Sequence, residues 1–256
     1  MRSFKEFERE LVAASVWRKT ELTKLTRAFD LQYRISHQFD PVKSGCSAVV
    51  VQYLNTVGSD GDVPVSAMGK RTIYTLAYSH WEGYVKQAVR IYLRHLNHIS
   101  MSESSNHPRL MRILTIRRLE NHKEAAKNIL EYSAQGMRDL REGFLFYGDD
   151  DYRVTLSDDE INRLSETHSN LNLVRLKELF KNLDLELPSF FQGINIEILR
   201  LMVKIRNGIA HGDPDFRDGE LPEELEDGLP KTIEFVLDSF FEIQEVLIKK
   251  AETTFK

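Results

Sequence analysis

Ile194-Asn195-Ile196-Glu197-Ile198-Leu199-Arg200-Leu201-Met202-Val203-Lys204-Ile205-Arg206-Asn207-Gly208-Ile209-Ala210-His211 is the stretch whose reading decides the fold. Ile194, Ile198, Leu201, Met202, Ile205 and Ile209 recur at three- and four-residue steps, the repeat of a helix with one buried face. Gly212-Asp213-Pro214 then stops the helix. Its last two turns carry Arg206, Asn207 and His211: a permanent cation, an amide and an imidazole that titrates near neutral pH. A guanidinium that grips a phosphate beside a group that moves a proton is the pairing RNA cleavage needs.

Spacing alone proves little, because Arg is also followed five positions later by His at Arg90/His95, Arg117/His122 and Arg163/His168. Context separates position 206. Its Arg is followed directly by Asn207, and its His falls at a helix end, where a reactive group can face solvent on a rigid scaffold. The bland reading of the same residues is a helix C-terminus at which Arg and His interact favourably with the dipole and the last carbonyls.

The rest of the chain reads as more helices. Phe4, Phe7, Leu11, Ala14, Leu22, Leu25 and Phe29 predict one long amphipathic helix over 4–36, broken by Asp40-Pro41 and Ser44-Gly45. A second spans about 65–98, with Ile73, Leu76, Ala77, Trp81, Tyr84, Val85, Ala88, Ile91 and Tyr92 as a stripe broad enough for a bundle core. Pro108 opens another that extends towards Met137. Ser157 with Glu160 forms a capping-box pattern, Leu171–Leu183 is helical, and a last helix begins near Leu221 and carries Ile233, Val236, Leu237, Phe240, Phe241 and Ile243. Residues 47–57 read as strand or helix, since Val49-Val50-Val51 favours a strand that has nothing to pair with. The expected fold is all-α: a helical bundle with a long N-terminal helix and a helical insertion.

Arg206-Asn207 with His211 resembles the R-(polar)-x3-H signature of HEPN domains. The run Ala77-Tyr78-Ser79-His80-Trp81-Glu82-Gly83-Tyr84-Val85-Lys86 is similar to the first core helix of their MAE-type (RiboL-PSP) branch, which carries an aromatic-Glu-Gly run. The resemblance is strongest over about 65–98 and 194–250 and loose over 100–190 and the N-terminal helix. It implies a single HEPN-like domain over 1–256, with 65–98 and 194–250 as core and about 100–190 as insertion. It also implies a metal-independent endoribonuclease that works without a cofactor, in a toxin–antitoxin or antiphage setting, as a homodimer whose two motifs share one cleft. A regulating antitoxin or defence partner protein fits the same picture.

On that reading Arg206 and His211 are the catalytic pair. Arg206 presents a planar fork to two phosphate oxygens, and His211 takes the proton from a ribose 2′-OH or gives one to the 5′-oxygen. Asn207 hydrogen-bonds the imidazole or the substrate, and Glu82 pairs with Arg206 and orients it. Lys86 and Arg90 are candidate RNA contacts. Alternatives stand beside these roles. Glu82 can simply pair with Lys86 one turn on, and Trp81 and Tyr84 serve as core or as stacking platforms. The whole chain can instead be a non-catalytic interaction or nucleotide-binding module of a defence complex.

Composition narrows the rest. Hydrophobic residues make up 41% and charged residues 29%, which excludes a disordered chain. The single cysteine, Cys46, excludes an intramolecular disulfide. His95 and His98 have metal-ligand spacing but no carboxylates near them in sequence to complete a site. Met1–Glu6 opens a charged helix instead of a signal peptide, no apolar run spans a membrane, and a cytoplasmic location is expected. Net charge is −4, yet 70–127 holds eleven Lys/Arg against four Asp/Glu, and 213–234 holds two against nine. Phosphate affinity follows the local patch, so an acidic chain can carry a basic groove.

Overall fold

A computed structural model describes residues 3–38, 65–97, 107–114, 116, 156–168, 170–213 and 228–254. The expectations for 47–57, for a helix running on to Met137 and for the start near Leu221 lie outside them. The described residues form α1 (Phe4–Gln38), α2 (Val65–Leu96), α3 (Asp158–Leu164), α4 (Leu173–Asn182), α5 (Ile194–His211) and α6 (Gly228–Thr254). A helical stretch at 108–114 and a 3-10 turn at Ser189–Phe191 complete them. No strand occurs among the described residues, so the all-α expectation holds.

Helix α2 is the centre. Tyr74, Tyr78, Trp81, Tyr84 and Tyr92 are all essentially inaccessible. They share one broad face of the helix, and the buried Ala77, His80, Val89 and Leu93 extend it past half of the circumference, so α2 needs cover on several sides. Helix α1 supplies one side through Phe7, Leu11, Ala14 and Leu22, and α6 another through Ile233, Val236, Phe240, Ile243 and Leu247. Helix α5 covers a third with Leu199, Met202 and Ile205, while Ile194 is left exposed. The α2–α6 contact is anchored where the Tyr84 and Phe240 rings lie 4.4 Å apart and the Tyr84 hydroxyl donates to the Phe240 carbonyl at 3.1 Å.

Local signals set the helix ends. The Ser157/Glu160 capping box is present in both directions at α3. Asn172 caps α4 by accepting from the Arg175 N–H at 3.0 Å. A tertiary cap replaces a local one at 108–114: Asp184 Oδ2, from the turn after α4, accepts from the N–H groups of Arg109 and Leu110 at 2.9 and 3.1 Å. Asn97, just past α2, exchanges hydrogen bonds with the backbone of Leu156 in both directions and ties that end of α2 to the start of α3.

His107, fully buried, locks the 108–114 stretch to the end of α6. Thr254 donates its hydroxyl to the Lys250 carbonyl at 2.9 Å, so it accepts from His107 Nε2 at 3.0 Å. That bond puts a proton on Nε2, and the backbone of Leu183 is a further hydrogen-bond partner of the ring. Burial, with the Lys250 charge behind it, lowers the His107 pKa from 6.5 to about 4. The unfolded chain binds the extra proton first as pH falls. The stabilising contribution is thus complete above pH 6.5 and is lost progressively towards pH 4. Urea denaturation should show His107 costing on the order of 3 kcal/mol across that window. A His107→Gln variant should show a flatter stability profile between pH 6.5 and 4; an unchanged slope would rule this account out.

Candidate active site

Helix α5 delivers its chemistry at a well-made end. Gly212 adopts a left-handed conformation (φ 68°), and the N–H of Asp213 reaches back to the Gly208 carbonyl at 2.9 Å. The helix is closed by a Schellman-type clasp that glycine makes without strain. His211 is the last helical residue and is exposed, with no hydrogen bond or ion pair to the described residues.

Arg206 faces the other way. It is half-buried, with its guanidinium carbon 5.1 Å from the centre of the Tyr78 ring. Its Nη1 donates to Asn207 Oδ1 at 3.0 Å. Asn207 thus holds the guanidinium and not the imidazole. Five residues of regular helix put Arg206 and His211 about 140° apart with a rise of about 7.5 Å. Because α5 stays helical through His211, no unwinding brings them together within one chain.

Tyr78 is the residue that sequence reasoning passed over. Its hydroxyl oxygen accepts from the Leu171 N–H at 2.6 Å, which leaves its own proton for the hydrogen bond to Glu82 one turn on. Burial, and next the Glu82 charge, push the phenol up from 10, so it stays a donor; Arg206 acts in the opposite direction. Glu82 makes no direct ion pair with Arg206 among the described residues. The two charges meet through the phenol between them. Glu82 Oε1 is buried with no hydrogen-bond partner among the described residues. The signal was the four-residue step from Tyr78 to Glu82, readable only once α5 is known to pack over it.

The other candidates separate. Lys86 binds Glu166 at 3.2 Å and not Glu82. Arg90 Nε donates to Ser165 Oγ at 3.1 Å. Trp81 and Tyr84 are wholly buried and belong to the core. His95 is buried too, stacked 4.4 Å from Phe7; His98 lies outside the described residues. No group of three or more His, Cys, Asp or Glu among the described residues is placed to hold a metal ion, and no described helix is long and apolar enough to cross a membrane.

A family model described as RiboL-PSP-HEPN matches residues 52–245 of the chain. The match takes in α2 and α5 whole, and with them Tyr78, Glu82, Arg206 and His211. It starts after α1 and ends inside α6. No curated protein and no solved structure matches.

Removing one oxygen tests the local network. Tyr78→Phe deprives the Leu171 N–H of its acceptor and Glu82 of its donor. Denaturant titration should show a loss of about 1–3 kcal/mol, the cost of leaving buried polar groups unpaired. A loss below about 0.5 kcal/mol would show that the phenol does not organise the site.

Proposed function

The chain belongs to the RiboL-PSP-HEPN family, whose domains are often ribonucleases, and from that membership we propose that it is a metal-independent endoribonuclease acting as a homodimer. The observation that carries the reading is the division of labour at the end of α5. A phosphate-matching guanidinium is pre-positioned by Asn207 and Tyr78, and an imidazole stands exposed and unengaged one and a half turns later.

The chemistry needs no external nucleophile. The ribose 2′-oxygen attacks the adjacent phosphorus while its proton passes to one His211. The bond from phosphorus to the 5′-oxygen breaks, and a second His211 protonates that oxygen. The products are a 2′,3′-cyclic phosphate and a 5′-OH. Arg206 offsets the charge that builds on the non-bridging oxygens. Arg206 and His211 diverge within one chain, so the assignment requires a two-fold arrangement in which a second copy brings its imidazole to the guanidinium of the first. Lys86 and Arg90 are the proposed RNA contacts, and a toxin–antitoxin or antiphage setting with a regulating partner fits the activity.

That divergence also favours a second reading, a non-catalytic helical module that binds nucleotides or a partner protein without cleaving. One experiment separates the two. The purified protein in excess chelator should cleave single-stranded RNA to cyclic-phosphate ends. His211→Ala should abolish cleavage while leaving the helical circular dichroism and the melting temperature unchanged. Cleavage that depends on added Mg²⁺, or that survives in His211→Ala, would overturn the mechanism; binding without cleavage would favour the module. The shared cleft has its own signature. Wild-type protein mixed with excess His211→Ala protein and allowed to exchange subunits should lose more activity than dilution alone removes, because a mixed dimer keeps only one of the two imidazoles. Activity that falls only in proportion to the wild-type fraction would place a working site within one chain.

A further inference from the structure

Helix α1 and helix α2 enclose an open groove of about 610 Å³. Its walls carry Arg18, Lys86, Arg90 and Arg94 against Glu10, with Trp17 on the rim. The cations keep donors in reserve. Arg18 uses Nη1 on the Ala14 carbonyl (2.6 Å) and Gln87 Oε1 (2.8 Å), which leaves Nη2 over Gly83. Arg90 commits only Nε, and the Arg94 side chain is exposed with no hydrogen bond or ion pair to the described residues. Trp17 is 49% exposed, with the Arg18 guanidinium 4.3 Å from its ring centre and His80 edge-on at 5.4 Å. The indole is thus held in place while about half of it remains open to a planar ligand.

Lys86, Arg90 and Arg94 follow one another at four-residue steps, a rise of about 6 Å each, which is close to the repeat of successive phosphates along an extended single strand. Extended backwards, the same row reaches Glu82 and then Tyr78, the ring beneath Arg206. A four-residue row advances around the helix as it climbs, so this one winds from the α5 side of α2 to the α1 side.

We infer that this groove is a binding site for single-stranded RNA, taking consecutive phosphates on Lys86, Arg90 and Arg94 and a base on Trp17. That the strand is RNA, with its scissile phosphate at Arg206, rests on the function proposed above. A duplex does not fit the assignment, since its bases are stacked on each other and unavailable to Trp17. Trp17 and Arg18 lie outside the residues that match the family model.

The test uses the full chain and a single-stranded RNA of about ten nucleotides that is 2′-O-methylated throughout, so that binding is read without cleavage. Arg94→Glu should weaken binding about tenfold and lower the slope of log K against log salt by about 1. Trp17→Ala should weaken it about fivefold or more. Of the two tryptophans, Trp81 is buried and Trp17 is open; RNA should quench the wild-type emission and leave that of Trp17→Phe unchanged. Both positions are exposed enough for the variants to fold, which circular dichroism checks. Unchanged affinity and salt slope in both Arg94→Glu and Trp17→Ala would overturn the inference. So would polyglutamate binding as tightly as RNA, which would mark the groove as a site for an acidic protein. Weakened binding in these variants, in a protein that never cleaves unmodified RNA, would keep the groove and discard the nuclease; normal cleavage with unaffected variants would discard only the groove.

Discussion

Helix α2 must be covered around most of its circumference, and the other packed helices take their places from that demand. Trp81 and four tyrosines fill one broad face of α2, and Ala77, His80, Val89 and Leu93 carry the burial past half of the circumference. Burying a large aromatic side chain stabilises a fold by a few kcal/mol at most, so a helix with five of them is worth little alone and much when surrounded. Each surrounding helix answers with its own apolar row, and the amphipathic pattern of α1, α5 and α6 is the imprint of α2 upon them. The tyrosines add direction to this otherwise unspecific burial. Two of their hydroxyls tie neighbouring elements to α2: Tyr84 donates to the Phe240 carbonyl and Tyr78 accepts from the Leu171 N–H, while the buried Tyr92 hydroxyl has no partner among the described residues.

The same demand positions the chemistry. Tyr78 is a core residue by burial and a site residue by contact. Its ring supports the Arg206 guanidinium, and its hydroxyl joins the backbone at Leu171 to the carboxylate of Glu82. Any shift of α5 along α2 would move Arg206 off that ring. His211, by contrast, owes its position only to the helix end that Gly212 closes. One group is held by the core and the other by a cap, so the first is rigidly oriented and the second is free to meet whatever approaches the surface.

Much of this was legible in the residues. The helices at 4–36, 65–98 and 194–211 agree with the observed ones to within about two residues, because their apolar repeats are long and the first and third meet Asp-Pro or Gly-Asp-Pro. The Ser157/Glu160 cap was equally plain, being a local pattern with a local consequence. What stayed hidden depends on tertiary pairing. Lys86 meets Glu166, 80 positions away, in place of the Glu82 one turn back. Asp184 caps a helix that begins 76 residues earlier in the chain, and no window of sequence shows it. The helical step from Asn207 to His211 favours the imidazole as the amide's partner, with the substrate as the alternative; the long Arg206 side chain folds back and takes the Asn207 oxygen instead.

The angle between Arg206 and His211 carries the heaviest consequence. About 140° of helix separates them, and a helix closed by a clasp at Gly212 has no slack to reduce that angle. A helix presenting a cation to its own core and an imidazole to the outside is poorly built to act on one phosphate alone. It is well suited to a two-fold pairing of α5 ends, in which each copy's outward group meets the other's inward one.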